Sequence, residues 1–65
     1  MIELTKFNDA TFTLNAEIIE TIEETPDTVV SLTTGKKFIV KETRGEVVDK
    51  VLSYKRSIYG MNDGK

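Results

Sequence analysis

Cysteine, histidine and tryptophan are all missing from this chain, and proline occurs once. Without cysteine no disulfide can staple the fold. A chain of 65 residues buries only about 60 % of the surface it exposes when unfolded, so its stability must come from tight packing, a metal, or association with further copies. The joint loss of histidine and cysteine removes the preferred ligands of zinc and copper, and carboxylates alone suit only hard cations such as calcium. No EF-hand spacing is present, so no metal and no cofactor are expected. The missing imidazole also takes away the commonest partner of a serine, threonine or cysteine nucleophile, which points away from an enzyme.

Glycine is scarce and badly placed for phosphate binding. The four glycines at 35, 45, 60 and 64 match neither dinucleotide-binding nor P-loop spacing. Thr34-Gly35-Lys36-Lys37 resembles only the end of the latter, with no upstream glycine and no following helix. No apolar run approaches the roughly 18 residues of a membrane span, and Met1-Ile2-Glu3-Leu4-Thr5-Lys6 offers no signal-peptide pattern. The expected location is therefore the cytoplasm, with no membrane insertion.

What the chain does contain is a globular balance, 38 % apolar and 31 % charged, from which a fold is expected. The net charge of −2 hides an asymmetry. Residues 1–35 carry seven acidic groups against Lys6 alone, while residues 36–65 carry eight basic groups against Glu42, Glu46, Asp49 and Asp63. Either the halves neutralise each other within one fold, or oppositely charged faces of different copies meet.

Period-two alternation marks Ile2–Thr5 and Thr11–Asn15 as a hairpin around the turn chemistry of Phe7-Asn8-Asp9-Ala10, with Phe12 and Leu14 facing a core. Ile18, Ile19 and Ile22 fit a helical turn or a bulged strand; the β-branched content and short length favour the strand. Thr25-Pro26-Asp27-Thr28 suits a type I turn with proline at the second position. Thr28–Thr33 is the clearest strand, and Thr34-Gly35 closes a tight turn into Lys36–Lys41. Glu20, Glu23 and Glu24 then lie along a solvated strand, with Glu20 and Glu24 on one face.

After Glu42 the period changes. Thr43-Arg44-Gly45-Glu46 is a capping box, and a helix runs from 44 to about 58. Val47, Val51, Tyr54 and Ile58 form one stripe, and Val48 and Leu52 widen it beyond the roughly 100° that a surface helix needs. The surplus around Val48, Val51, Leu52 and Ile58 marks a candidate self-association face. Lys55 falls inside the stripe, where its stem can pack while its ammonium reaches out. Tyr54, Lys55 and Arg56 together have the composition that interface hot spots prefer. The expected architecture is α+β: an antiparallel meander of about five strands closed by a C-terminal helix, one domain over 1–58, with a flexible tail over 59–65.

Leu14-Asn15, Ile18-Ile19-Glu20, Ile22-Glu23, Thr25-Pro26-Asp27-Thr28-Val29, Leu32-Thr33, Gly35-Lys36-Lys37 and Val40-Lys41-Glu42, in that order, resemble the FlbD family of bacterial flagellar proteins. Met1-Ile2 with Leu4-Thr5, and Val47-Val48, Val51 and Tyr54-Lys55-Arg56, extend the likeness to about residues 1–57. The departures are Asp9, where the family usually has glycine, Phe7 in place of leucine, and Gly45 in the first helical turn. The resemblance implies a cytoplasmic protein that supports flagellum-driven swarming motility, acting on the motor's force generation, with no catalytic residues to carry over. A homo-oligomer is expected, touching a flagellar motor or basal-body protein through Lys36, Lys37, Lys41, Tyr54, Lys55 or Arg56. The rival reading is a small β-rich RNA-binding regulator using Lys36, Lys37 and Lys41. The acidic total and the core-facing placement of Phe12 and Phe38 argue against it, and no nucleic acid is expected as a partner.

Overall fold

The fold, taken from a computed structural model, is described for residues 1–58. Five antiparallel strands run β1 Ile2–Thr5, β2 Thr11–Leu14, β3 Ile19–Glu24, β4 Thr28–Leu32 and β5 Lys37–Val40, followed by one helix, α1 Arg44–Ile58. This is the expected α+β meander. It divides into a β1-β2 hairpin and a β3-β4-β5 sheet. An antiparallel bridge between Lys6 and Val40 and the Lys41 N–H donating to the Thr5 carbonyl (2.8 Å) tie the two together through β1 and β5. The tail expected over 59–65 lies outside the described residues.

Two of the connections are the same device. In the first hairpin the Asp9 N–H donates to the Lys6 carbonyl (2.9 Å) and the Lys6 N–H to the Ala10 carbonyl (2.8 Å); in the β4-β5 hairpin Gly35 N–H donates to the Leu32 carbonyl (2.9 Å) and Leu32 N–H to the Lys36 carbonyl (2.8 Å). Each is a three-residue loop whose last residue is left-handed, at φ 69° for Asp9 and 96° for Gly35. The β4-β5 loop is therefore one residue longer than the two-residue turn expected at Thr34-Gly35, because the glycine is needed at the third position. In the first loop Asp9 takes that position. Asp is among the few other residues that visit this region readily, and the Asn8 side chain steadies the loop by accepting from the Ala10 N–H (3.1 Å).

Two expectations change in the middle of the chain. Asn15 caps a short 3₁₀ turn over Ala16–Ile18, its side chain accepting from the Glu17 N–H (3.0 Å), and β3 then starts with an irregularity between Ile19 and Thr21. The irregularity lets Ile19 and Ile22, three apart, pair with Leu32 and Val30, so the isoleucine spacing records both a helical turn and a bulge. It also breaks the alternation at Glu20, so period two no longer ties Glu20 to the face of Glu24. The β3-β4 loop is not a type I turn: the Thr25–Pro26 bond is cis, and the loop hydrogen bond runs from the Thr25 N–H to the Asp27 carbonyl (3.3 Å).

The core is Ile2, Leu4, Leu14, Ala16, Val30, Leu32, Val40 and Val47. Seven of these come from the strands and the 3₁₀ turn, and only Val47 from the helix. Phe12 and Phe38 face inward as expected but are half-buried, packed at a 34° tilt with ring centroids 4.9 Å apart against that core. Lys6 lies over the Phe12 ring, its Nζ 5.5 Å from the centroid.

Candidate functional site

Three side-chain carboxylates organise the helix start, and two of them tie it to the sheet. Glu46 accepts from the Thr43 N–H (2.8 Å) while the Thr43 hydroxyl accepts from the Glu46 N–H (3.1 Å). This is the expected capping box, which satisfies two donors that a helix start leaves open. Glu24 reaches from the end of β3 to accept from the Arg44 N–H (2.9 Å). It is thus exposed, as expected of the acidic strand, yet it also caps the helix. Glu42 accepts from both the N–H (3.0 Å) and the hydroxyl (2.9 Å) of Thr5, pinning the segment before the helix to β1.

With its start held this way, α1 packs against β1 and β3, and its apolar stripe divides along its length. Val47 is wholly buried, and Val51 and Tyr54 lean half-buried on the core. Val48 is half-buried, whereas Leu52 is 49 % and Ile58 51 % exposed. The stripe is thus covered at the first turns and open toward the C-terminus. Lys55 is half-buried within the open part and Arg56 is exposed beside it, both in the last turns, where the helix dipole favours cations. Lys55 and Arg56 therefore stand with the uncovered half of the stripe, whereas Tyr54 leans on the core.

The other basic candidates lie on the sheet, and the structure separates them from the helix group. Lys36 is exposed at the end of the β4-β5 loop and Lys37 is exposed at the start of β5. Lys41, just past β5, is already engaged, its ammonium donating to the Asp9 carboxylate in an exposed ion pair. Between Lys37 and Lys41, Ile39 is 50 % exposed on the outward face of β5.

Sequence reasoning missed a groove of about 400 Å³ between β1 and the helix, lined by Met1, Ile2, Glu3, Asp49, Lys50 and Tyr54 among others. No periodicity announces it, because it exists only where α1 crosses β1. It is open to solvent, and its polar side chains are two carboxylates, an ammonium, a phenol and the Ser53 hydroxyl. Among the described residues no group of three or more acidic side chains converges as a metal site, and no helix is long and apolar enough to cross a membrane.

A capped helix laid over a five-stranded meander, with apolar side chains exposed beside basic ones on both the helix and the sheet, defines a small α+β domain whose distinctive features are surfaces. The chain belongs to the FlbD family of flagellar and swarming motility proteins, whose family model matches residues 1–59. No curated protein and no solved structure matches it.

Proposed function

We propose that this chain is a non-enzymatic, cytoplasmic accessory protein of flagellum-driven swarming motility, which acts by protein–protein contact that affects force generation by the motor. Family membership supplies the motility setting. The observation that carries the contact reading is the division of the helix stripe: Val47 is sealed in the core while Leu52 and Ile58 stay about half exposed next to Lys55 and Arg56. Apolar area beside two cations, one of them an arginine, has a composition that contact hot spots favour, and a chain with so small a core retains it at a cost in solubility unless something covers it.

On this reading the C-terminal half of α1 meets a motor or basal-body protein, and the chain also self-associates. The test is photo-cross-linking in motile cells, with the reactive residue placed at position 55 and, separately, at position 27 in the β3-β4 loop. Position 55 is expected to capture a motor or basal-body protein and position 27 is not. Equal capture at both positions, or none at 55, overturns the proposal.

A further inference from the structure

We infer that the outward face of the β3-β4-β5 sheet, and not the helix stripe, is where two copies of this chain meet, in a twofold, face-to-face dimer. The inference deepens the self-association in the proposed function and assigns it a surface. Register places Glu23, Val29 and Ile39 in one cross-strand row, since Glu23 pairs with Val29 and Val29 with Ile39. The row beside it is Thr21, Ser31 and Lys37. Paired residues share a sheet face, and the opposite face is the buried one, carrying Val30, Leu32 and Val40. The outward face therefore has an acid on β3, an apolar pair on β4 and β5, and Lys37 on β5, with Lys41, already paired to Asp9, just past the strand's end.

This arrangement is complementary to itself. Rotation by 180° about an axis along β4, lying between two stacked sheets, places β3 of each copy over β5 of the other. Val29 meets Val29 near the axis. Glu23 of each copy comes over Ile39 of the other, between Lys37 and Lys41. Both contacts occur twice, as an isologous interface requires, and opposite charges meet around an apolar centre. Another twofold stacking, with the axis across the strands, brings Lys37 of each copy toward Lys41 of the other and leaves Glu23 without an opposite charge. The acidic and basic halves of the sequence thus find each other between copies at this face. The side chains of Lys37 and Glu23 are both exposed and carry no hydrogen bond or ion pair to another described side chain. Area sets the strength. Three strands about 4.8 Å apart and about five residues long make a face of roughly 14 by 17 Å, well below the roughly 800 Å² per partner of a standard interface. The dimer is consequently weak and its population depends on concentration.

The test is sedimentation of the full 65-residue chain at low salt, from about 10 μM to about 1 mM. The wild type is expected to pass from monomer to dimer and no further. Lys37→Glu and Glu23→Lys are each expected to weaken the dimer about tenfold, because every substitution acts at two symmetric contacts, and the double exchange in one chain is expected to recover to within about threefold. Both positions are exposed, and far-UV circular dichroism checks that the variants fold. Single exchanges with no effect, alongside a dimer dissolved by Leu52→Glu, overturn the sheet interface and leave self-association with the helix. A wild type that stays monomeric throughout overturns self-association itself, and any species larger than a dimer overturns the twofold arrangement.

Discussion

The carboxylate of Glu42 receives two hydrogen bonds from one residue, Thr5, through its N–H at 3.0 Å and its hydroxyl at 2.9 Å. The pair joins residues 37 apart in sequence and sits where β1, β5 and the helix start converge. Partial burial opposes ionisation of Glu42, but the Thr5 hydrogen bonds, aided by the charge of Lys50, outweigh it and hold the carboxyl below its ordinary value of 4.5.

The sign of the resulting pH dependence follows. The folded state favours the ionised form, so the stabilisation is complete above about pH 4.5 and is lost as pH falls through the lowered folded value. Glu42→Gln is therefore expected to destabilise the domain at pH 7 and to differ progressively less from the wild type toward pH 3. Urea unfolding of both chains at the two pH values measures this. A difference that persists undiminished at pH 3 assigns the effect to shape rather than charge.

Burial along α1 predicts an order of stabilities opposite to side-chain size. Val47→Ala removes two buried carbons from a wholly enclosed site and is expected to cost about 2 kcal/mol. Leu52→Ala, at a position 49 % exposed, is expected to cost less than about 1 kcal/mol. Thermal unfolding of the two variants decides. Equal losses would mean that Leu52 is covered in solution.

Backbone geometry separates two glycines that composition treats alike. Gly35, at φ 96°, is expected to lose about 1 kcal/mol or more on change to alanine. Gly45, in the first helical turn with open space where a Cβ would go, is expected to gain about 0.5 kcal/mol. Asp9→Gly relieves the left-handed residue but gives up the exposed pair with Lys41, leaving a change within about 1 kcal/mol on the stabilising side. Denaturant midpoints of the three variants test all three signs.

Much of this fold was legible in local pattern. The capping box at Thr43 and Glu46, the alternation of Val30 and Leu32, and the inward aromatics Phe12 and Phe38 each report a local rule that the tertiary structure obeys. What local pattern could not reveal was set by distant partners. Asp9 and Gly35 differ chemically, so nothing in composition shows that they close equivalent loops. Glu24 reads as a solvated acid because its acceptor role depends on Arg44, 20 residues away. The helix stripe was visible as a whole, but its division at Leu52 follows from how little sheet lies beneath it. The candidate lysines were legible as a group, whereas their separation into a sheet set and a helix set required the fold.

In the proposed function the open half of α1 carries the chain's role in motility. Its most direct test is swarm expansion of a deletion strain complemented with Leu52→Glu, a substitution at a half-exposed site, with the variant's thermal stability and cellular level measured alongside. A stable, normally abundant protein that fails to restore swarming is expected. Full restoration of swarming by that variant would contradict it.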